Sequence, residues 1–210
     1  MIGAIRTLRV AAVILAAGKS SRMGEAKQLL RLGEDTVLGR TVENVRAASP
    51  DGVVLVLGAY AEEIRSQLAA ETVGEARVVM NREYETGMAS SLRTGLAALS
   101  SDVDGAVIVL GDQPLVRPAT MDRIVEEYRR TGAQIVIPQY GGTRGNPVLL
   151  DRSLFAEAMA LEGDVGCRAI FAEHPDGIVY VEVDDPGVLL DVDNREDFER
   201  LRSHSSQRQG

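Results

Sequence analysis

Short apolar runs recur along this chain of 210 residues, and segments with helical spacing separate them. The runs are rich in Val, Ile and Leu, as strands buried on both faces are. Five runs are predicted to be strands: residues 10–15, 53–57, 78–80, 106–110 and 135–137. Between them, apolar residues recur at the period of an amphipathic helix; these are Ile64 and Leu68, then Leu92, Leu96 and Leu99, then Met121, Ile124, Val125 and Tyr128. The alternation predicts a three-layer α/β/α fold with a Rossmann-like, mostly parallel sheet that binds ligands at the carboxyl ends of its strands.

The chain shows no internal repeat and no Gly/Ser linker, which predicts a single domain over residues 1–202. Residues 203–210 (SHSSQRQG) are polar and terminal, and we expect them to be a disordered tail. Residues 138–185 follow a less regular β/α rhythm. We interpret this region as a lid or a substrate-facing insertion.

Charge and cysteine content exclude several classes of function. The formal net charge of −8 argues against non-specific nucleic-acid binding, which needs lines of Lys and Arg. A single cysteine, Cys167, excludes an intramolecular disulfide and fits a reducing cytoplasm. Two histidines, His174 and His204, leave little for a metal cluster or a Ser-His-Asp triad.

The apolar amino-terminal segment has two interpretations. Arg6 and Arg9 followed by VAAVILAAG resemble a signal peptide. A buried first strand explains the same residues and keeps the glycine loop that follows, so we expect a cytoplasmic protein with no membrane partner. No later apolar stretch is long enough to span a bilayer.

The stretch VILAAGKSSRMGEAK, residues 13–27, contains the tripeptide GKS but is not a Walker P-loop. The Walker pattern needs a glycine where this chain has Val13. The dinucleotide-binding pattern G-x-G-x-x-G does not fit Gly18 and Gly24 either. Small residues that permit close backbone approach, together with cations, suit a polyphosphate. Those residues are Ala16, Ala17, Gly18, Lys19, Arg22 and Lys27. The alternative is a surface loop with incidental basic residues.

Carboxylates at two places suggest a metal site. Asp112, in the sequence GDQP, follows an apolar run and is expected at the carboxyl edge of the sheet, where carboxylates and substrate phosphates hold Mg²⁺. Asp191 and Asp193, in LLDVDNREDF, project from the same face of an extended segment and can share a cation. The alternatives are an ordinary turn for Asp112, and helix capping by Asp193 or Asn194.

Six motifs in this order resemble the MobA-like nucleotidyltransferases, most closely the molybdenum cofactor cytidylyltransferases. They are LAAGKSSRMGEAKQLL, GMASSLRTGL, GDQP, RGNPVLL, GDVGCR and LLDVDNREDF. LAAG and GDQP resemble the cytidylyl branch, whereas the guanylyl branch usually has LAGG and GDMP. The resemblance implies a Mg²⁺-dependent attack of the pterin's terminal phosphate on the α-phosphate of CTP, with release of pyrophosphate.

The resemblance also implies roles for individual residues. Four residues are implied to contact the nucleotide through their backbone: Leu15, Ala16, Ala17 and Gly18. The implied catalytic residues are Arg22 and Lys27, which bind the phosphates, and Asp112, which binds the metal. Asp193, and less surely Asp191, complete the metal site. Ser90 and Ser91 contact the base or ribose, with helix capping as the alternative. The residues implied to bind the acceptor are Arg144, Asn146, Asp164 and Arg168. Relatives usually have Thr-Pro where this chain has Asn194-Arg195, a departure that alters the helix start and keeps the aspartates.

The expected substrates are CTP and molybdopterin, with a molybdoenzyme as a possible client. Because the nucleophile in such a reaction is already an anion, the chemistry needs positioning and charge neutralisation and no histidine or cysteine. Two rivals remain. One is a sibling enzyme that uses GTP or another phosphorylated acceptor; the other is a non-catalytic protein that binds the molybdenum cofactor and delivers it.

Overall fold

A computed structural model describes residues 7–20, 24–68 and 70–206, in which helices cover both faces of an eight-stranded sheet. In chain order the strands are β1 (Val10–Ala16), β2 (Arg31–Leu32), β3 (Asp35–Thr36), β4 (Val53–Leu57), β5 (Arg77–Met80), β6 (Gly105–Leu110), β7 (Ile135–Tyr140), β8 (Thr143–Arg144), β9 (Val148–Asp151) and β10 (Ile178–Glu182). The helices are α1 (Val37–Ala47), α2 (Ala61–Gln67), α3 (Ala70–Val73), α4 (Met88–Ala97), α5 (Pro118–Thr131), α6 (Phe155–Ala160), α7 (Arg168–Phe171) and α8 (Arg195–Ser206). Short 3₁₀ turns lie at Lys27–Leu29, Tyr84–Thr86, Arg152–Leu154, Pro175–Gly177 and Pro186–Leu189.

The sheet is mostly parallel, as predicted, in the order β10-β7-β9-β6-β1-β4-β5 with β8 paired to β7. The central strand β1 runs parallel to both neighbours, so that Ala12 lies opposite Val53 on one side and Val107 on the other. Strand β9 is antiparallel to β6 and to β7. The strands β2 and β3 form a separate hairpin.

Alternate residues of β1 face the two helical layers, because successive side chains of a strand point to opposite faces. Ile14 packs in one buried cluster with Leu38 of α1 and Ile124 of α5. Val13 packs in the other cluster with Leu92 of α4. This two-sided burial explains the continuous apolar run and confirms the strand interpretation of the amino-terminal segment.

The region 138–185 does not form a lid, so the lid interpretation of the irregular sequence pattern is wrong, while the alternative of a substrate-facing insertion stays a prediction. It completes β7 and supplies β8, β9 and β10, all of which belong to the main sheet. Val148, Leu149 and Leu150 are buried because β9 is inserted between β6 and β7. The antiparallel insertion breaks the β/α alternation, which is why the sequence pattern is irregular here.

The last helix, α8, runs four residues into the segment that was expected to be a disordered tail, and residues 207–210 lie outside the described residues. Phe198 and Leu201 anchor α8 because they are buried in a small cluster with Val192 and Leu32.

Within the described part of the chain, no helix is both long and apolar enough to cross a membrane.

Candidate active site

The carboxyl ends of β1 and β6 lie side by side and position the candidate site. The Gly111 amide donates a hydrogen bond to the Leu15 carbonyl at 2.9 Å. A Cβ at position 111 would lie 2.9 Å from the Cβ of Ala16, so only glycine lets the two strand ends approach this closely. The following residue, Asp112, is thereby brought beside the loop that leaves β1.

Lys27 bridges two of the predicted metal ligands. Its Nζ lies 2.5 Å from Asp112 Oδ2 and 3.2 Å from Asp193 Oδ1. The Val192 amide donates to the Asp112 carbonyl at 3.1 Å, which fixes the extended segment before α8 against the end of β6. Burial disfavours the ammonium, but the two carboxylates outweigh burial and raise the pKa of Lys27. The fold therefore joins two predicted metal ligands around one charged lysine.

The oxygens beside Lys27 fit a hard divalent cation. Asp112 Oδ1 is buried and has no hydrogen-bond partner among the described residues. Burial, followed by the nearby carboxylates of Asp112 and Asp193, raises the pKa of Asp191. Mg²⁺ prefers one or two carboxylates completed by substrate phosphates and water. The described residues contain no group of three or more His, Cys, Asp or Glu side chains arranged to hold a metal ion.

Asn194, not Asp193, caps α8. The Asn194 side chain accepts from the Asp197 amide at 3.0 Å, and the Asp197 carboxylate accepts from the Asn194 amide at 3.2 Å. This reciprocal pair has the pattern of a capping box. Because Asn194 caps the helix, the carboxylate of Asp193 can face Lys27.

Gln28 braces the loop after β1, a role that the sequence analysis did not identify. Its side chain is buried, and Nε2 donates to the carbonyls of Gly18 at 3.1 Å and Ala16 at 3.4 Å. Its Oε1 accepts from the Ser20 hydroxyl at 3.1 Å, and that hydroxyl oxygen accepts from the Lys27 amide at 3.1 Å. Ser20 has a φ of 53° in the left-handed region. The sequence signal that could have indicated this role is the polar residue Gln28 directly after Lys27.

Lys19, expected to face phosphates, is paired within the protein. Its Nζ lies 2.6 Å from Glu85 Oε1 and 5.8 Å from the centre of the Tyr84 ring. The Tyr60 hydroxyl donates to the Lys19 carbonyl at 3.0 Å. The predicted phosphate ligand Arg22 lies outside the described residues.

Two adjoining cavities meet at this edge of the sheet. The larger, of about 620 Å³, contains most of the predicted nucleotide and metal residues: Leu15, Ala16, Ala17, Gly18, Lys27, Ser91, Asp112, Asp191 and Asp193. The smaller, of about 270 Å³, is lined mainly by apolar side chains together with Asn146, Cys167 and Arg168. Leu15, Met88, Leu110 and Asp191 line both cavities. We call them the nucleotide-side and acceptor-side cavities, after the ligands that the sequence predicts for the residues that line them.

The two serines of α4 do not cap that helix. Its N-cap is Gly87, which has a φ of 111°, so the capping interpretation is wrong. Asn81 Nδ2 donates to the hydroxyl oxygens of Ser90 at 2.8 Å and Ser91 at 3.0 Å. Ser90 also donates to the Gly87 carbonyl at 2.8 Å and is fully buried, whereas Ser91 lines the nucleotide-side cavity. Contact with the base or ribose stays a prediction for both.

The predicted acceptor residues are not all brought together. Asn146 and Arg168 line the acceptor-side cavity. Asp164 lines the nucleotide-side cavity and accepts from the Met88 amide at the start of α4 at 3.3 Å. Arg144 is exposed on β8 at the side of β7.

A mostly parallel sheet with a small-residue loop at its carboxyl edge is typical of proteins that bind nucleotides there. Residues 12–178 match the MobA-like NTP transferase domain, and the chain belongs to this family of nucleotidyltransferases.

Relatives of the chain carry different activities in their names. The chain is 29% identical to nicotine blue oxidoreductase of Paenarthrobacter nicotinovorans, covering 91% of this chain and 96% of that protein. It is 25% identical to molybdenum cofactor cytidylyltransferase of Escherichia coli, covering 89% of this chain and 92% of that protein. Among solved structures it resembles Rv0371c of Mycobacterium tuberculosis, with a TM-score of 0.81, 34% identity and coverage of 94% and 100%. Another structure of Rv0371c is a complex with manganese, with a TM-score of 0.75, 32% identity and coverage of 93% and 98%.

Proposed function

We propose that the protein transfers CMP from CTP to molybdopterin, releases pyrophosphate and uses Mg²⁺. The observation that carries this proposal is the cluster of Lys27, Asp112 and Asp193 in a cavity that also contains the predicted nucleotide loop. The similarity to the Escherichia coli cytidylyltransferase supports the choice of nucleotide and acceptor. The adjoining apolar cavity with Arg168 suits an acceptor that combines a flat ring with an anionic group.

The chain's residues suit a reaction in which charge is neutralised and no acid or base is needed. An oxygen of the acceptor's terminal phosphate bonds to the α-phosphorus of CTP while the bond to the oxygen that bridges the α- and β-phosphorus atoms breaks. Pyrophosphate leaves with that electron pair. Lys27 neutralises charge on the triphosphate, and the amides of the loop from Leu15 to Gly18 orient it.

Asp112, with Asp193 or Asp191, would hold Mg²⁺ through oxygen atoms. When bound, the metal neutralises negative charge that builds on the phosphate oxygens. Asp112 Oδ1 is the best placed donor because it is buried and has no partner among the described residues. The manganese complex of Rv0371c supports a divalent metal in this family.

A second candidate function follows from the similarity to nicotine blue oxidoreductase, which exceeds the identity to the cytidylyltransferase. In that case the same cleft would bind a redox dinucleotide and a heteroaromatic substrate. The carboxylates around Lys27 argue against it, because hydride transfer does not need a site for a divalent cation.

The test is incubation with each of the four nucleoside triphosphates, Mg²⁺ and purified molybdopterin, followed by mass spectrometry of the pterin product. We expect a cytidine conjugate and pyrophosphate. A guanosine conjugate would move the protein to the guanylyl branch. Absence of transfer, together with oxidation of NADH or NADPH by a heteroaromatic dye, would favour the second candidate. Absence of both, with tight binding of molybdopterin, would favour a delivery protein.

A further inference from the structure

The chain contains only two lysines, Lys19 and Lys27, among 23 Lys and Arg residues, and both line the nucleotide-side cavity. An ammonium is a compact charge on a flexible stem, whereas a guanidinium is a rigid planar fork that suits fixed paired contacts. Lysine is therefore the better residue where a cation must change partners. Among the described residues, both cations that line the nucleotide-side cavity are lysines.

Lys27 occupies the place where a divalent metal would neutralise the carboxylates. Its Nζ contacts Asp112 and Asp193 at once, at 2.5 Å and 3.2 Å. Asp112 uses Oδ2 for this ion pair, and its other oxygen has no partner among the described residues. Lys27 thus supplies one positive charge where a divalent metal would supply two, and the carboxylates of Asp112 and Asp193 are incompletely neutralised.

The proposed reaction asks two things of the same atoms. The triphosphate needs Lys27, and the metal needs Asp112 and Asp193. Both demands cannot be met while the ammonium bridges the two carboxylates. Either the lysine moves or the metal binds elsewhere.

We propose that Lys27 is a displaceable counter-ion, which pairs with Asp112 and Asp193 in the nucleotide-free protein and yields both carboxylates to the metal. The phosphates of the nucleotide then become its new partners. The identity of the nucleotide rests on the proposed function, but the competition between Lys27 and the metal does not. By linkage, whatever draws Lys27 away from the carboxylates raises their affinity for metal, and the metal in turn frees the lysine.

The first test measures Mn²⁺ affinity without any nucleotide, from the electron paramagnetic resonance signal of free Mn²⁺. Lys27→Met should bind Mn²⁺ about tenfold more tightly than the unmodified protein, or better, because the metal no longer displaces an ammonium. The matched control is Lys19→Met, which removes the other lysine of the cavity, the partner of Glu85; its affinity should stay within about twofold of the unmodified protein. Adding Asp112→Asn to Lys27→Met should abolish the gain. Equal Mn²⁺ affinity in Lys27→Met and the unmodified protein would overturn the proposal.

The second test uses the unmodified protein, so it survives if Lys27→Met does not fold. Lysine labelled with ¹³C at Cε gives two side-chain resonances, one for each lysine. Titration with Mg²⁺ should shift the resonance of Lys27 and leave that of Lys19 in place. A Lys27 resonance that stays in place at Mg²⁺ concentrations that saturate the site, as measured by displacement of Mn²⁺ in the first assay, would show that the lysine does not move, and the proposal fails.

These measurements separate the two proposals. A protein that transfers no CMP but gains Mn²⁺ affinity on loss of Lys27 keeps the counter-ion and loses the proposed function. A protein that transfers CMP but shows no such gain keeps the function and loses the counter-ion.

Discussion

The two adjoining cavities differ in how their charges are balanced. In the nucleotide-side cavity the cations are paired inside the protein, Lys27 with Asp112 and Asp193, and Lys19 with Glu85. The acceptor-side cavity has walls such as Leu92 and Phe171, and its cation Arg168 has no ion pair within the described part of the chain.

This difference indicates two modes of binding. We expect a ligand of the nucleotide-side cavity to exchange partners with groups that are already paired, so that its binding depends on a metal and on ionic strength. We expect a ligand of the acceptor-side cavity to bury apolar surface and to supply an anion to Arg168, which has no ion pair among the residues that the structure describes.

The largest effect is expected from Asp112→Ala. If the metal neutralises charge in the transition state, the variant should lose several kcal/mol of stabilisation, which is about a hundredfold or more in rate. The measurement is pyrophosphate release at saturating CTP and acceptor. The matched control is Asp122→Ala, which removes an exposed carboxylate beside Val10 and Pro50, at the start of β1 and away from the site. Near-normal turnover by Asp112→Ala would remove Asp112 from the mechanism.

Removing the cation of one cavity at a time should weaken mainly the binding of the substrate that we expect in that cavity. Lys27→Ala loses a charge-assisted contact to phosphate, so its affinity for CTP should fall about tenfold or more even without acceptor. Arg168→Ala should leave the affinity for CTP within about twofold and raise the KM for the acceptor. Calorimetric titration with CTP and steady-state rates against each substrate measure these effects.

Arg144→Ala extends this comparison to the exposed strand β8. We expect it to leave CTP affinity unchanged and to raise the KM for the acceptor less than Arg168→Ala does. Equal losses of CTP binding in Lys27→Ala and in either arginine variant would show that the division between the cavities is wrong.

A smaller effect is expected from Gln28→Leu. The variant leaves the carbonyls of Gly18 and Ala16 without their donor, so the loop is less well ordered for the triphosphate. The KM for CTP should rise several-fold, and the free energy of unfolding should fall by about 1–3 kcal/mol. Gln28→Glu keeps the size of the side chain but cannot donate, and should behave in the same way. Gln67→Leu, at an exposed glutamine in α2, is the control and should change neither quantity.

The smallest effect on activity is expected from chemical modification at Cys167, in the wall of the acceptor-side cavity. Burial raises the pKa of its thiol to about 12, so the reactive thiolate forms only as the pH approaches that value. At pH 8 the folded protein should react with a disulfide reagent about a thousandfold more slowly than the unfolded chain, and activity should survive the treatment. Absorbance of the released thiol measures the reaction. Rapid labelling of the folded protein would contradict the burial of this side chain.

Much of the fold was predictable because buried parallel strands are continuous apolar runs. The run 53–57 matches β4 without change, and the others differ from the observed strands by one to three residues. Strand β9 was not predicted, because an apolar run does not encode strand direction or the insertion of β9 between two distant strands.

The site was predictable as a set of residues but not as an arrangement. Lys27 is separated from Asp112 by 85 residues and from Asp193 by 166, and no local pattern reports a contact over such distances. The sequence therefore assigned the lysine to the phosphates and the aspartates to the metal, and could not show that they are paired with one another. The role of Gln28 was missed for a similar reason, since its partners depend on how the loop folds back.

Under the proposed function, the α-phosphorus of CTP bound in the nucleotide-side cavity is transferred to a ligand in the acceptor-side cavity. The most direct measurement follows CTP labelled with ³²P at the α-position, incubated with molybdopterin and Mg²⁺ and separated by chromatography. We expect the label to move to the pterin, at a rate that falls about a hundredfold or more in Asp112→Ala. Label that remains in CTP, while GTP labelled at the same position transfers its phosphorus, or while neither nucleotide reacts, would contradict it.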